Sequence, residues 1–340
     1  MSTTFSQPID KSTYLFYKKP SPYHHLEEEE MTQSIQERLD EIMVPPIYDA
    51  VDAALKTAGP QNQDIRARAI RFLTQGRGIP RSSQEGLEPV EPYIRFYRNE
   101  MAPAVLDGFS YTLKTGEPAY QKVFGEKPWE RRNKNPELLH GFQEGMACLA
   151  RLETSDILGK VDFSQYDEVI DFGGGTGTLL QTIMQKHPQI FGVLIDQPQV
   201  IAQAHPLFTQ EKFASRSALL SGSLFAPPRL PVYSNKRRIV ILKKVLLNWG
   251  DKAAKEVATN CLKLAGKEGI ALFIEPLMPS AGHPRASILH PGALDIIMAV
   301  VLGGEVRTFK KTETLLATSK ARIGFSLRTN YLTLMGVKQK

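Results

Sequence analysis

Residues 168–196 constrain this chain more than any other stretch. The apolar run Glu168-Val169-Ile170-Asp171-Phe172 leads straight into Gly173-Gly174-Gly175-Thr176-Gly177, after which Leu179, Leu180 and Ile183 recur at helical spacing. A second apolar run, FGVLID, closes on Asp196. Glycine lacks a Cβ, so such a loop can turn through positive φ and let a ligand lie directly on its backbone. Strand, glycine loop, helix, strand and terminal acid is the order of a nucleoside-binding α/β unit, in which the acid accepts hydrogen bonds from ribose hydroxyls. The spacing is G-x-G-x-G. Thr178 stands where a nicotinamide fingerprint needs glycine or alanine, and no Gly-Lys-Ser/Thr follows, so neither an NAD site nor a phosphate P-loop is indicated.

The runs ALLSG, RIVILKK, GIALFIEP and RTNYLTLMGV continue the pattern, alternating with helical segments. They predict one mostly parallel sheet that binds its ligand at the carboxyl ends of the strands. No clear strand pattern precedes about residue 165. The Glu27–Glu30 run favours the first turn of a helix. Ile35, Leu39, Ile42 and Met43 follow at helical spacing, Pro45-Pro46 should break that helix, and Ile47, Val51, Ala54 and Leu55 restart it. Segments Ile65–Thr74, Tyr93–Thr112 and Pro136–Leu152 read as further helices. At 340 residues the chain exceeds the size at which one core usually stops growing. The expected architecture is a helical module over 1–135 and an α/β domain over 136–340.

Composition narrows the class. Hydrophobic residues make up 42% and charged residues 23%, which argues against a disordered or membrane-spanning chain. The N-terminal MSTTFSQPIDKS lacks a basic segment followed by an apolar core, so a cytoplasmic address is expected. Cys148 and Cys261 form no metal or redox spacing and read as small buried hydrophobes. The net charge of +6 comes from scattered residues and calls for no nucleic-acid or membrane partner. No His/Asp/Glu group has metal-ligand spacing.

Several blocks together resemble the S-adenosylmethionine-dependent O-methyltransferases of small-molecule metabolism, the plant caffeate and hydroxyindole type with its microbial relatives. DFGGGTGTLL resembles that family's motif for the methionine part of the cofactor, and LIDQPQVI its FDLPxVI. LKKVLLNWGD resembles LKxVLHDWSD, FIEPLMP resembles IVEPVLP, and LGGEVRT resembles the GGKERT block. The likeness is good over about 135–340 and thin before that. It implies a Rossmann-like class I methyltransferase domain, S-adenosyl-L-methionine as cofactor, and a helical N-terminal domain that forms a homodimer and covers a small-molecule substrate. It assigns the cofactor to Asp171, Gly173, Gly175, Gly177, Asp196 and Gln197, with Ser223, Leu224 and Lys243. An exposed strand-end lysine is the alternative for Lys243.

The resemblance also marks departures. The family's histidine base falls on Leu247, which cannot take a proton. Of the two acids that orient that histidine, one is retained as Glu275 and the other falls on Val306. An adenine-contacting Gly-Asp appears as Gly222-Ser223. VLLNW with GGxVRT resembles the bacterial anthracycline O-methyltransferase and its hydroxylase relative. By the same alignment the acceptor pocket draws on Phe142 and Met146, on Leu247, Asn248 and Trp249, and on Asp295 and Met298. Phe142 and Met146 are equally explained by core packing, Trp249 is better explained by it, and a charged Asp295 in an apolar helix must be paired or face a cavity. His290, in the segment expected to cover the pocket, is the candidate replacement base, ahead of His205 and His140.

Methyl transfer from a sulfonium can proceed by proximity and alignment when the acceptor oxygen is acidic, so a phenol or enol is the expected acceptor. The competing reading is a non-methylating relative, such as a pericyclase, dehydratase or hydroxylase, that keeps the cofactor for its charge. A DNA-reading scaffold is a third, for which the stretch between Pro60 and Pro80 looks too short.

Overall fold

A computed structural model describes residues 28–57, 59, 62–76, 90–230, 237–280, 289–317 and 321–339. The Pro60–Pro80 stretch lies partly outside the described residues. Among the described residues seven α-helices precede the first strand: α1 (Glu28–Thr57), α2 (Gln63–Gly76), α3 (Glu91–Phe96), α4 (Ala102–Thr115), α5 (Tyr120–Phe124), α6 (Pro128–Lys134) and α7 (Pro136–Lys160).

The expected break at Pro45-Pro46 does not occur, and α1 runs through both prolines. The two prolines leave the carbonyls of Glu41 and Ile42 without their helical donors. Leu39, Met43, Ile47, Val51 and Ala54 are nevertheless buried on one stripe that keeps its register across the prolines. Each of the four larger side chains contributes about 1.5–3 kcal/mol when buried, enough to outweigh those bonds. The Tyr97 hydroxyl donates to the Met43 carbonyl at 3.1 Å and ties the next helix to this one. Tyr97–Met101 forms a π-helical turn between α3 and α4, which buries both Glu100 and Met101. Asn135 caps α7, its side chain accepting from the N–H groups of Glu137 and Leu138 at 3.1 and 3.2 Å.

The sheet comprises β1 (Glu168–Phe172), β2 (Phe191–Asp196), β3 (Ser217–Ser221), β4 (Arg238–Lys243), β5 (Ile270–Glu275), β6 (Ala321–Arg328) and β7 (Thr333–Gln339). Its order is β3-β2-β1-β4-β5-β7-β6. The first five strands are parallel, while β7 runs antiparallel to both β5 and β6. The single strand expected from RTNYLTLMGV is therefore the second arm of a hairpin. Its turn is closed by Thr329, whose hydroxyl accepts from the N–H groups of Tyr331 and Leu332 at 3.1 and 2.9 Å. The first arm is an edge strand that buries only part of its surface, so its hydrophobic signal is weak.

Between strands lie α8 (Thr178–Lys186), α9 (Pro198–Phe208), α10 (Glu211–Ala214) and α11 (Asp251–Ala265), then α12 (Pro291–Leu302) and α13 (Phe309–Ala317). The strand order reverses between β1 and β4, and the glycine loop leaves β1 at that switch point, where open α/β sheets bind ligands. No helix among the described residues is long and apolar enough to cross a membrane.

Candidate active site

Gly173, Gly175 and Gly177 carry φ of 75°, 61° and 82°, the left-handed region that glycine enters without cost. The Gly173 N–H donates to the Ile195 carbonyl at 2.7 Å, which ties the loop to β2. The Asp196 carboxylate accepts from the Gly175 N–H at 2.8 Å and the Gln197 N–H at 2.7 Å. Burial raises its pKa to about 6 despite those two donors. Asp171 is buried behind the loop, and burial raises its pKa to about 7, with Lys243 opposing and Asp196 adding. A Cβ on Gly175 would stand 3.0 Å from Gln143 Oε1, and one on Gly173 3.3 Å from Leu224 and Val245, so the loop backbone is the floor of a narrow cradle. Gly177 is not on that floor. A Cβ there would meet the Phe208 ring at 2.6 Å, so this glycine lets α8 pack against α9.

The cradle opens into a cavity of about 470 Å³. Its walls include Asp171, Gly173, Gly175, Asp196 and Gln197 on one side, with Ser223, Leu224 and Lys243. Phe142, Met146, Leu247, Asn248, Trp249 and Met298 face the same space. Phe142 stands edge-on to Phe96 and Trp129, with ring centroids 5.3 and 5.4 Å away. The Arg132 guanidinium lies 4.4 Å from the Phe142 ring centroid and pairs with buried Glu100 at 3.2 Å. Trp249 stands perpendicular to Phe225 at 4.9 Å. Its indole N–H is buried without a partner.

Besides Gly177, three expected site residues lie off the cavity wall. Asp295 is 1% exposed and absent from the cavity wall. Its carboxylate binds Arg68 at 2.9 and 3.1 Å, Arg71 at 3.1 Å and the Val306 N–H at 2.9 Å, so of the two options for a charge in an apolar helix it takes pairing. Arg68 also donates to the carbonyls of Asp295 and Gly304, clamping α2 onto α12. His290 caps α12, its Nδ1 accepting from the Ala293 N–H at 3.2 Å, and packs edge-on against Phe72 at 6.0 Å. A cap whose ring nitrogen already holds a backbone proton, outside the cavity wall, is not placed to deprotonate a substrate.

Glu275 lies behind the wall and accepts from the Val245 and Leu246 N–H groups at 2.9 and 2.8 Å. Burial raises its pKa to about 7, against those donors and the Arg307 charge. It shapes the turn that carries Leu247. The LGGEVRT block holds that turn from the other side. Arg307 donates to the carbonyls of Leu246 and Trp249 at 2.9 and 2.7 Å, and a Cβ on Gly304 would stand 2.1 Å from the Leu247 oxygen.

The model of the O-methyltransferase domain family matches residues 106–325. The chain belongs to the O-methyltransferase family. A phenazine O-methyltransferase of Lysobacter antibioticus is 30% identical over 227 residues, 67% of this chain and 63% of that protein. Aclacinomycin 10-hydroxylase of Streptomyces purpurascens is 29% identical over 214 residues, 61% of this chain and 54% of that one. The matched stretch therefore spans under two thirds of either relative's length. Among solved structures, an O-methyltransferase from neocarzinostatin biosynthesis, in complex with S-adenosylmethionine and 2-hydroxy-5-methyl naphthoic acid, superposes with a TM-score of 0.65. It shares 21% identity and covers 91% of this chain and 96% of that one. The fold is the family's Rossmann-like class I domain preceded by helices.

Within the family fold, reasoning from sequence missed several wall residues. Gln143 adjoins Phe142 on α7 but breaks its apolar spacing. Asn133 donates to the Gln197 side chain at 3.1 Å, so α6 reaches the glycine-loop side. Arg132 sits in the run ERRNK, which reads as a solvated surface. Lys244 also lines the cavity, at φ 55°, the one non-glycine residue with positive φ among those described. Such a conformation costs about 1–3 kcal/mol. Its Nζ binds Glu153 Oε1 at 3.0 Å, while Lys243 Nζ holds Oε2 of the same carboxylate at 2.5 Å. A second lysine beside the one the motif flags was the available signal.

Proposed function

We propose that the chain is an S-adenosyl-L-methionine-dependent O-methyltransferase acting on a phenolic or enolic oxygen of a small molecule of secondary metabolism. One observation carries this reading: a glycine cradle flanked by buried Asp171 and half-buried Asp196 opens into the same cavity as an apolar, aromatic wall. The residues fit the cofactor. The loop floor has no Cβ to obstruct a nucleoside, and each oxygen of the Asp196 carboxylate keeps a lone pair after its bond to the backbone. Asp171 and Asp196, both protonated more readily than ordinary carboxyls, gain from a cationic, hydroxyl-bearing ligand.

When bound, the cofactor supplies a methyl group on a positively charged sulfur, an inherently good leaving group. Gly173, Gly175, Asp196, Gln197, Ser223, Leu224 and Lys243 hold it. Phe142, Met146, Leu247, Asn248, Trp249 and Met298 orient the acceptor and exclude water. Alignment in a closed cavity replaces much of the barrier that free solutes face. Residues 1–135 cover the acceptor and form a homodimer, and 136–340 bind the cofactor.

A second reading, a non-methylating enzyme that retains the cofactor, is favoured by Leu247 at the position of the family base and by the hydroxylase among the relatives. Incubation with methyl-labelled cofactor and a panel of phenolic and enolic polyketides tests both. Label in the product supports methyl transfer. A product without label, formed while the cofactor stays intact, supports the second reading.

A further inference from the structure

With leucine at position 247, the proton of the acceptor hydroxyl has no evident destination. Among the described residues that line the cavity there is no histidine and no glutamate, and the titratable side chains are Tyr93, Arg132, Asp171, Asp196, Lys243 and Lys244. Arginine stays protonated. Burial raises the Tyr93 pKa, which keeps its hydroxyl protonated. Asp171 and Asp196 flank the glycine loop. The lysine pair remains.

Its geometry is unusual. Consecutive residues of a strand point to opposite faces, so Lys243 and Lys244 should diverge. Instead both lysine Nζ atoms meet the single Glu153 carboxylate, which is 1% exposed on α7, and the backbone turns left-handed at Lys244 as it leaves β4. The Lys244 N–H donates to the Ile274 carbonyl at 2.8 Å and fixes that turn. Backbone strain spent on bringing a side chain to a cavity wall points to a role for that side chain.

We propose that Lys244 Nζ is the proton acceptor of this enzyme. The role rests on the methyltransferase reading above and deepens it. The lysine amine takes the proton of the acceptor hydroxyl. The oxygen forms its bond to the methyl carbon, and the carbon–sulfur bond breaks with its electron pair left on sulfur. The positive charge thereby moves from sulfur to the Lys244 ammonium, which shares the Glu153 carboxylate with Lys243.

The surroundings support a proton that leaves and returns. Burial lowers the Lys244 pKa, Glu153 opposes that, and Lys243 adds to it. Burial would raise the Glu153 pKa, but Lys243 and Lys244 outweigh it and keep Glu153 an anion. Cys148 on α7 also interacts with Lys244, Tyr93 on α3 interacts with Glu153 and Cys148, and Asp171 on β1 interacts with Lys243.

Two naphthols of different acidity, 2-naphthol and a nitro-substituted naphthol, test the role together with K244M and K244R. Loss of a general base costs typically 10²–10⁴-fold, here about 100-fold or more in kcat/KM for 2-naphthol in K244M. The nitro-substituted acceptor, already ionised, should lose only a few-fold. K244R should not restore the 2-naphthol rate, and the rise of the wild-type rate with pH should disappear in both variants. Cofactor affinity by calorimetry should stay within a few-fold of wild type, which shows the variants folded. Competitive dinitrophenylation of the wild type against pH, read by peptide mass spectrometry, should find the Lys244 amine deprotonating below an ordinary lysine. Equal losses on the two naphthols, rescue by K244R, or an ordinary titration of Lys244 would overturn the role while leaving the methyltransferase reading intact. A wild-type protein that binds cofactor but methylates neither naphthol would overturn both.

Discussion

The glycine-loop wall of the cavity comes largely from one continuous stretch, Asp171 to Asp196, whereas the opposite wall is assembled from α3, α6, α7, the turn after β4 and α12, segments far apart in sequence. The first wall is held by its own backbone. Gly173 bonds to β2, and Asp196 takes the N–H groups of Gly175 and Gln197. The second depends on long-range clamps: Arg68 and Arg71 on Asp295, Glu275 and Arg307 on the 245–249 turn, and Arg132 on Glu100. A wall built locally can be altered at its own residues, while one built by clamps can be lost from a distance.

Variants that break one wall should therefore leave the other measurable. The largest expected effect comes from Asp295→Ala. Removing one partner of a buried ion pair costs about 3–5 kcal/mol, because Arg68 stays buried with only the exposed Asp64 carboxylate, 3.8 Å away, to answer its charge. Chemical denaturation should show that loss, and cofactor affinity at a temperature where the variant is folded should stay near wild type. A tenfold loss of cofactor affinity in that folded variant would show that the two walls are not independent.

Gly175→Ala should act in the opposite sense. An L-residue at φ 61° costs about 1–2 kcal/mol, and its methyl would press on Gln143 while occupying the cradle floor. Cofactor affinity measured by calorimetry should fall roughly tenfold or more, each tenfold being about 1.4 kcal/mol. Denaturation should move much less than for Asp295→Ala.

The acids of the glycine-loop wall also give it a pH dependence. Their folded-state pKa values, about 7 for Asp171 and about 6 for Asp196, lie above those of ordinary carboxyls. In the ligand-free protein they contribute stability that is complete below the ordinary carboxylate range and is lost as pH rises through about 6 to 7. A cationic ligand needs the ionised forms, so its affinity runs the other way and rises between pH 5.5 and 8. Titration calorimetry across that range should show tighter binding at the upper end, and a flat profile would mean that neither acid meets the ligand.

Glu275→Gln should give the smallest change. The carboxyl has its pKa raised to about 7 and serves as an acceptor for backbone N–H groups, a task glutamine oxygen can perform. Wild-type stability from this group is lost as pH rises through 7, so thermal melting should show the variant gaining on wild type toward pH 8. A large activity loss with unchanged stability would instead place Glu275 in the chemistry.

How much of this could be read from residues alone follows the same division. Asp171, the glycines and Asp196 were legible because one local run of strand, loop and strand places them. Gly177 shows the limit even there, since only the Phe208 ring reveals that it serves packing. On the other wall, Phe142, Met146 and Met298 were indicated by alignment, but Asp295, expected either to be paired or to face the cavity, is paired with Arg68, and His290, the candidate base, is held by the Ala293 N–H as a cap. Nothing in the local sequence links Asp295 to an arginine 227 residues away. The prolines of α1 teach a similar lesson: the local rule predicts a break, and a buried stripe running through both halves overrides it.

The most direct measurement is calorimetric titration of S-adenosyl-L-methionine into the purified wild type and Asp196→Ala. The structure predicts one site per chain in the wild type and an affinity loss of roughly tenfold to a hundredfold in the variant, the worth of hydrogen bonds to a charged group at about 1.5–3 kcal/mol. No heat of binding in the wild type, or equal affinity in the two proteins, would contradict the placing of the cofactor on the glycine-loop wall.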